Sequence, residues 1–342
     1  MTGRVLDERT LNRALLARQL LLERSALDIP MALEQVGGLQ TQYAPSGYVG
    51  LWTRLRAFRR DDLTRALEGR TVVQATLMRT TIHLVSRRDF WPFAAGVRRA
   101  RREWVARVGV LPGSDELAAR AKRLRAALRD GPLTVKELDG LAAGFIGTLS
   151  PWVDLVRVPP SGTWDRRRAD RLALAEDWVG PEDATEDEGL VRLVRAYLGG
   201  FGPAAWRDVA AWAGIPVAVA RRAEAGLALT RYRDTEGREL IDLADAVLPD
   251  PGTPAPVRFL PHFDNTLWVH ARRSGILPEH HRARIFSLRN PSSVGTVIVG
   301  GRVAATWSAR DGRIEVTRLD DLTARQDAEL EREREALEAF HA

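Results

Sequence analysis

The sequence predicts a mainly α-helical protein with small β elements (α+β), made of three tandem winged helix-turn-helix domains and a C-terminal β-rich subdomain. Two observations support this prediction. The segment 131–142 (GPLTVKELDGLA) recurs as 202–213 (GPAAWRDVAAWA), and each copy follows a helix-like segment and precedes two strand-like segments. That order is typical of winged helices. After the proline-rich stretch 249–256, β-branched segments replace the helical periodicity.

The first predicted domain spans residues 1–112. Leucines recur at helical spacing after Thr10, the expected N-cap, and Gly37 should end a second helix. Two short helices follow before residues 72–84, whose β-branched content predicts two strands with a bend at 79–80. A longer helix over about 89–108 carries an arginine run that we expect to be a solvated face unless it lines a phosphate-binding groove: Arg98, Arg99, Arg101, Arg102 and Arg107.

The two repeat copies define the second and third predicted domains, residues 113–181 and 182–250. Each copy has the helix, turn and helix of the motif before its two strands. We expect these strands at 155–158 and 172–175 in the second domain, and at 227–232 and 239–243 in the third. The glycines at 200 and 202 follow a helix, so they indicate the turn of the repeat and not a dinucleotide-binding loop.

The last predicted subdomain, residues 251–342, is expected to be a barrel-like or curved sheet followed by one helix. Its strands should lie at 257–260, 294–299, 302–307 and 313–316, with tight glycine turns between the later ones. The tail over 322–340 is charged and amphipathic. It should dock on the body through its apolar face, Leu330, Leu337 and Phe340.

Composition limits the class of protein. The chain has 342 residues, 45% of them hydrophobic, without a transmembrane-length apolar run or a secretory leader. The sequence therefore predicts a cytoplasmic protein that does not span a membrane. Because cysteine is absent, disulfides, thiolate catalysis and iron–sulfur clusters are excluded. No histidine and carboxylate spacing matches a metal motif, and the neighbours His280 and His281 are expected to point in different directions. We expect neither metal nor cofactor.

The formal charge of +6 comes from 51 basic and 45 acidic residues, and only Lys122 and Lys136 among the basic residues are lysines. An arginine-rich coding bias and a phosphate-binding surface both fit this composition, since guanidinium groups bind phosphate through two parallel hydrogen bonds. The scarcity of lysine restricts Schiff-base chemistry, because that chemistry needs a deprotonatable amine.

The stretch 37–45 (GGLQTQYAP) places Gln40 and Gln42 between a helix and a turn. Two interpretations are open. A polar pair after a helix is commonly a solvated cap, whereas carboxamides fixed in a loop can also orient a substrate or a water molecule. The sequence around the pair decides between them.

Other polar residues carry a structural and a functional interpretation as well. His83, in a predicted strand, is either a core histidine bonded to the backbone or a polar group near Gln40 and Gln42 that contacts ligand or water. Asp264 and Asn265 leave a predicted strand and suit a turn first, and an active-site contact second.

Five motifs in chain order resemble the winged-helix crosslink-repair DNA glycosylases, the family of the azinomycin-resistance enzyme of streptomycetes. They are 38–42 (GLQTQ), 48–55 (YVGLWTRL), 78–84 (MRTTIHL), 260–265 (LPHFDN) and 299–307 (VGGRVAATW). The motifs extend over nearly the whole chain, so the resemblance covers the fold.

This resemblance implies three tandem winged helices that form a concave basic cradle for double-stranded DNA with alkylated bases. It also implies a catalytic Gln-Φ-Gln motif at Gln40 and Gln42. Thr41 stands where the family usually has an aliphatic or small residue, and this difference bears on substrate preference. We expect a monomer in which further side chains form active-site or DNA contacts: Thr41, Tyr43, Arg79, Thr81, His83, Asp264 and Asn265.

The chemistry of an alkylated purine suits these residue types. Glutamine has no usable pKa, so neither Gln40 nor Gln42 acts as an ordinary general base. An N7-alkylguanine is already cationic and leaves without much acid help. Carboxamide dipoles can then orient water and stabilise an oxocarbenium-like sugar. We expect Gln42 to position the water and Gln40 to orient the water or the sugar, in a monofunctional glycosylase.

Two other functions remain open at this level. A winged-helix DNA-binding protein without catalysis, such as a regulator, would share the fold, although three tandem winged helices favour one long footprint. A helical protein-interaction scaffold is the third possibility, and DNA binding that is absent or insensitive to salt would favour it.

Overall fold

The computed structural model describes residues 4–109, 111–141, 149–268, 275–286 and 294–342. Within these ranges helices predominate, as expected, and strands are fewer and mostly short. The helices are α1 (Glu8–Arg18), α2 (Ile29–Val36), α3 (Pro45–Trp52), α4 (Arg60–Glu68), α5 (Arg87–Val108), α6 (Ser114–Leu128), α7 (Val135–Leu141), α8 (Ala175–Trp178), α9 (Glu186–Phe201), α10 (Trp206–Ala213), α11 (Val217–Arg221), α12 (Asn265–Trp268), α13 (Arg282–Ile285) and α14 (Ala324–His341).

The strands within the described ranges are β1 (Val5–Leu6), β2 (Leu39–Gln40), β3 (Val72–Thr76), β4 (Ile82–Ser86), β5 (Leu133–Thr134), β6 (Leu155–Arg157), β7 (Arg171–Leu174), β8 (Leu229–Asp234), β9 (Glu239–Leu243), β10 (Arg258–Leu260), β11 (Gly295–Val299), β12 (Arg302–Arg310) and β13 (Arg313–Arg318). They form three sheets: one has the order β1-β8-β9, one β10-β11-β12-β13, and the largest β2-β4-β3-β6-β7-β5. All described strand pairs are antiparallel except β1 with β8.

The first two helices begin and end where local chemistry satisfies their free backbone groups. Helix α1 starts before Thr10, contrary to the predicted cap, because the Asp7 carboxylate accepts a hydrogen bond from Thr10 N at 2.7 Å. Helix α2 is capped by Asp28 and ends as expected at Gly37, whose φ of 75° is left-handed. Gly37 thereby turns the chain directly into β2.

The three predicted hairpins lie at their predicted positions, as β3–β4, β6–β7 and β8–β9. The first two are not separate wings, however. Strand β3 pairs with β6, with Gln74 opposite Arg157 and Ala75 opposite Val156, so both hairpins belong to one continuous sheet. The third hairpin stays apart and pairs with the N-terminal strand β1. The division into 1–112, 113–181, 182–250 and 251–342 remains a prediction.

Helix α5 of the first predicted domain and helix α9 of the third pack so closely that their backbones are in contact. A Cβ atom on Gly96 of α5 would lie 2.8 Å from the carbonyl carbon of Gly189 on α9, so only glycine fits at this crossing. One buried apolar cluster accordingly runs from Leu15 through Phe93, Leu193 and Trp212 to Val303. This shared core fixes the first hairpin relative to the third predicted domain.

The C-terminal strands form an antiparallel sheet in chain order. Of the two expected forms, a barrel-like or a curved sheet, the closed form is not observed, because β13 does not pair back to β10 within the described residues. Helix α14 docks through the predicted face: Leu330 and Leu337 are buried, and Phe340 contacts the rings of Trp52 and Trp164. None of the described helices has the length and apolar character required to cross a membrane.

Candidate active site

The Gln-Thr-Gln segment lies at the edge of the largest sheet. Gln40 belongs to β2, where it pairs with His83 of β4, so it is part of a strand and not of the expected loop. Thr41 N continues the pairing with a 2.8 Å hydrogen bond to Ile82 O. Gly38 has a φ of 79°, and a Cβ there would lie 3.1 Å from the Leu84 carbonyl oxygen. The glycine therefore lets the segment approach β4 closely enough to pair.

Gln42 is exposed, and its carboxamide is fixed by the backbone of β4. Its Oε1 accepts a hydrogen bond from Ile82 N at 3.0 Å. Because a backbone N–H can only donate, this contact determines which end of the carboxamide is oxygen. The oxygen keeps a second lone pair, and the amide hydrogens make no hydrogen bond among the described residues. Gln42 can therefore still bind a water molecule.

Gln40 is buried to 8% exposure, and a guanidinium fixes its orientation. Nη2 of Arg79 donates to Gln40 Oε1 at 2.9 Å and to Asn265 Oδ1 at 3.1 Å. Nη1 of the same side chain donates to the carbonyl of Trp212. Three of the predicted site residues therefore converge on one contact, although they lie far apart in the chain.

The bend at Arg79 places this guanidinium. Arg79 and Thr80 have left-handed φ values of 52° and 58°, which are strained for residues with side chains. Burial lowers the pKa of Arg79 to about 10, so the group remains a cation at neutral pH. Its hydrogen-bond partners are all neutral oxygens.

His83 is the buried core histidine that the first interpretation described. Its Nδ1 lies 3.0 Å from Thr81 O, an obligate acceptor, so Nδ1 carries the proton and Nε2 is a bare acceptor. Nε2 is buried and has no hydrogen-bond partner among the described residues. Burial and then the Arg79 charge lower the pKa of His83 to about 3, so it is neutral at physiological pH. The Thr81 hydroxyl donates to Met78 O at 3.1 Å.

Asp264 forms a buried ion pair behind the site. The carboxylate oxygens lie 3.0 Å from the guanidinium of Arg54, and both side chains are 0% exposed. Asp264 also accepts from Thr266 N at 2.9 Å, which confirms the predicted turn role. The next residue, Asn265, is the partner of Arg79, so this short turn ties both arginines together.

Tyr43 lies at the exposed side of the segment. Its hydroxyl accepts a 3.0 Å hydrogen bond from Arg167 Nη1, and its ring meets His262 edge-on at 5.8 Å. Arg167 belongs to the turn between β6 and β7 and is exposed together with Arg166 and Arg168. The second hairpin therefore brings a basic loop beside Gln42 and Tyr43.

Sequence reasoning missed several side chains that hold this site. Gln74 of β3 is buried and donates to Thr41 Oγ1 and Gly162 O at 3.4 Å each. Gln19 accepts from Arg54 at 3.2 Å. A polar residue inside an apolar strand, as in Val73-Gln74-Ala75, was an available signal for Gln74. Nothing in the sequence pointed to Arg167.

The arginine run of α5 is only in part the solvated face that was expected: Arg99, Arg102 and Arg107 are exposed, whereas Arg98 and Arg101 are not. Arg98 bonds to Asp154 and Glu182, at 3.1 and 2.8 Å. Arg102 donates to Pro151 O at 3.0 Å, and Arg101 is buried. Only part of the run is free for solvent, since Arg101 shares the buried stripe of Val97 and Val105 at a spacing of four residues.

One described group of side chains has spacing compatible with a metal ion. Potential ligand atoms of His280, His281 and Asp320 all lie within 4.8 Å of one another. The two rings contact each other at 4.0 Å, so the expectation that they point apart was wrong. The His281 to Asp320 hydrogen bond, at 2.8 Å, already accounts for the cluster as a tie between a 3₁₀ turn and the end of β13.

Comparison with known proteins identifies the family. Residues 33–340 match the family described as DNA glycosylase AlkZ-like. The Streptomyces sahachiroi DNA glycosylase AlkZ shares the fold at a TM-score of 0.81 and 19% sequence identity, with 98% of this chain and 97% of that chain covered. Among curated proteins, none matches the sequence significantly. The resemblance seen in the sequence is confirmed: the chain belongs to the AlkZ-like family and is a DNA glycosylase.

Proposed function

We propose that the protein is a monofunctional glycosylase that hydrolyses the N-glycosidic bond of N7-alkylated purines in double-stranded DNA, with bulky adducts and interstrand crosslinks among its substrates. The supporting observation is that each carboxamide oxygen of the Gln-Thr-Gln segment is held by a group that can donate a hydrogen bond but cannot accept one, which fixes the orientation of both amides. Arg79 orients Gln40, and the backbone of Ile82 orients Gln42. Preorganised dipoles of this kind stabilise developing charge without reorganisation.

The departing purine does not need to be protonated by a general acid. Alkylation at N7 leaves the purine cationic, so the electron pair of the breaking C1′–N9 bond neutralises it as it departs. A water oxygen forms the new bond to C1′, and its proton is released to solvent. The products are the free alkylated base, an abasic site and one proton. The enzyme must therefore place water and tolerate an oxocarbenium-like sugar.

The two glutamines divide this task. The remaining lone pair of Gln42 Oε1 accepts a hydrogen from the attacking water and directs the water oxygen towards C1′. The guanidinium of Arg79 draws electron density from Gln40 Oε1 and makes the Gln40 amide a stronger donor, which suits orientation of the water or of a sugar oxygen. Thr41 faces inward and touches Gln74, so it supports the segment from behind.

Access and lysine placement support the same reaction. Gln42 and Tyr43 are exposed, and an open edge admits a lesion too bulky for a closed base-flipping pocket. Lys122 and Lys136 are both exposed, on α6 and α7, where nothing desolvates an amine into a Schiff-base nucleophile. Water is the nucleophile that fits.

The test is release of 7-methylguanine from methylated duplex DNA under single-turnover conditions. Gln40→Ala and Gln42→Ala should each lower the rate about 100-fold, the usual loss on removing one preorganised group. Gln35→Ala is the matched control, because Gln35 is exposed on α2 and bonds only to Gly199 O among the described residues. Full activity of Gln42→Ala would show that the motif is not catalytic.

A second substrate separates simple alkylation repair from crosslink repair. Wild-type protein should also unhook a nitrogen-mustard crosslink between guanines, with the same dependence on Gln42. Release of 7-methylguanine alone would restrict the substrate to small adducts. Release from neither substrate, with duplex binding retained, would favour the DNA-binding regulator instead.

A further inference from the structure

A cavity of about 250 Å³ lies between α5 and the first two hairpins and is lined by Thr80 of the Arg79–Thr80 bend. Its apolar wall comes from Phe90, Ala94 and neighbouring residues. Its polar lining is concentrated and mostly cationic or hydroxylic: Thr76, Thr80, Arg101, Ser150, Asp154 and Arg157. None of these side chains belongs to the proposed catalytic pair.

Arg101 enters this cavity without a full set of partners. The residue is 6% exposed, and Nη2 donates only a long 3.3 Å hydrogen bond to Ser150 Oγ. Its Nε is buried and has no partner among the described residues. Burial lowers the pKa of Arg101 to about 10, which leaves it charged at pH 7. A buried cation in this state is costly unless an anion approaches it.

Arg157 adds a second positive charge from the other wall. It donates to Thr76 Oγ1 at 3.0 Å and to Ala169 O at 3.2 Å, both neutral acceptors. Burial first, and then repulsion by Arg101, lowers its pKa to about 10. The two guanidinium groups therefore repel each other across a cavity that neither fills.

The cavity holds too little negative charge to balance them. Asp154 is the one acidic residue among the described lining, and its carboxylate is bound to Arg98 at 3.1 Å. The same carboxylate also attracts Arg101 and partly opposes the effect of burial on the Arg101 pKa, so one negative charge is shared by several arginines. Within the described part of the chain, neither Arg101 nor Arg157 has a carboxylate within salt-bridge distance. The residues outside the described ranges include no aspartate or glutamate that could supply one.

We propose that this cavity binds a phosphate group through Arg101 and Arg157, with the hydroxyl of Thr80 as an additional donor. Two guanidinium forks facing one space match the several oxygens of a tetrahedral oxyanion, and a bound phosphate supplies the missing charge. The group is either a backbone phosphodiester of DNA or a free phosphate ion.

The position of the cavity gives this site a consequence for the active site. Thr80 lines the cavity, and the preceding residue of the same strained bend, Arg79, holds Gln40. A phosphate bound to Thr80 would stabilise the bend in the conformation that orients Gln40. The backbone source rests on the proposed function, whereas the free-ion source does not.

Thermal unfolding of the full chain tests binding without DNA. Inorganic phosphate at millimolar concentration should raise the Tm by about 2–4 °C over chloride of equal ionic strength. Arg101→Met should abolish this rise. In phosphate-free buffer the same variant should be as stable as wild type or more stable, because it removes a buried charge that lacks a partner.

Two further variants provide a control and an independent test of the same site. Arg99→Met lies on the same helix, removes an exposed arginine paired with Glu103, and should keep the full phosphate effect. Arg157→Met should abolish the effect independently, so a folding defect in one variant does not protect the proposal. The proposal is overturned if wild type responds equally to phosphate and chloride, or if either cavity variant retains the wild-type shift.

Binding of undamaged duplex DNA, followed by fluorescence anisotropy, then identifies the source. If the site takes a DNA phosphodiester, phosphate competes more strongly than chloride at equal ionic strength, and Arg101→Met weakens DNA binding several-fold. If the site takes a free ion, Arg101→Met binds DNA as tightly as wild type does, although it has lost the rise in Tm that phosphate produces in wild type. Base release is measured separately, so loss of the glycosylase hypothesis would leave the phosphate result standing.

Discussion

Two arginines, the buried Arg54 and the half-buried Arg79, lie near the Gln-Thr-Gln segment, and of these two only Arg54 has a carboxylate partner among the described residues. Arg54 faces the Asp264 carboxylate, with both side chains 0% exposed. Arg79 faces the neutral oxygens of Gln40, Asn265 and Trp212. Asp264 and Asn265, consecutive residues of one turn, bond to Arg54 and Arg79 respectively.

We infer that this difference separates a stabilising contact from one that acts on the proposed site. Arg54 also donates to neutral oxygens of Gln19, Gly50 and Thr266, but the Asp264 carboxylate beside it offsets its field, so we expect Arg54 mainly to fix the turn. Arg79 bonds only to neutral oxygens among the described residues, so no bonded carboxylate offsets its polarisation of the Gln40 amide. We therefore expect changes at Arg54 and Asp264 to appear in stability, and changes at Arg79 to appear in catalysis.

The largest effect should come from Asp264→Asn, which leaves the Arg54 charge buried without its counter-ion. Breaking one side of a buried pair costs about 3–5 kcal/mol, measured as the free energy of unfolding in urea. Glu103→Gln, which breaks the exposed Arg99 pair, should cost less than about 0.5 kcal/mol. Equal effects of the two substitutions would contradict the distinction between the two arginines.

Local features of this region were predictable from the sequence. The β-branched content of 72–84 predicted β3, β4 and the bend at Arg79, because hairpins depend on neighbouring residues. The apolar face of the tail predicted the docking of Leu330, Leu337 and Phe340 for the same reason. The helical start was misplaced at Thr10 because Asp7, three residues earlier, is an equally good cap and wins the hydrogen bond.

Long-range contacts were not predictable from one sequence. The Arg79 bonds join residues 39 and 186 positions apart, and no local pattern encodes such distances. The pairing of β3 with β6, which merges two predicted domains into one sheet, depends on tertiary packing in the same way. Arg101 could have been placed by its spacing from Val97 and Val105, yet its charge suggested the surface.

Arg79→Met should have the second largest effect, and mainly on catalysis. Without the guanidinium, Gln40 loses its orientation, so kcat should fall about 100-fold, equivalent to about 2.7 kcal/mol, with KM little changed. Stability should change by only about 1 kcal/mol, because the lost hydrogen bonds and the removal of a half-buried charge offset each other. A raised KM with unchanged kcat would mean that Arg79 contacts DNA instead of positioning Gln40.

The charge of Arg79 also contributes to the low pKa of His83. The shifted pKa should make the stability of the folded chain depend on pH. With a folded pKa of about 3 and an ordinary unfolded value of 6.5, the unfolded chain binds the proton more readily between these limits. Stability is therefore complete above pH 6.5 and is lost as the pH falls towards 3, by about 1.4 kcal/mol per pH unit.

Urea unfolding from pH 7 to pH 4 measures this slope. His83→Leu should reduce it by about that amount, whatever the substitution does to stability at pH 7. Gln35→Ala, which changes no titratable group, should give the wild-type slope. An unaltered slope in His83→Leu would show that His83 takes up a proton equally in the folded and unfolded chains.

Asn265→Asp should have the smallest effect and bears most directly on the comparison, because it gives Arg79 the kind of partner that Arg54 has. The new carboxylate should compete with Gln40 for Nη2 and lower kcat by up to about fivefold, or about 1 kcal/mol. Stability should rise or fall by less than about 1 kcal/mol, since the change adds an ion pair, removes the unpartnered Asn265 Nδ2 and brings a charge beside Asp264. Single-turnover base release measures the effect on catalysis, and urea unfolding measures the effect on stability.

If Asn265→Asp raises stability while kcat stays at the wild-type value, the charge of Arg79 is not what orients Gln40, and the two arginines differ only in their partners.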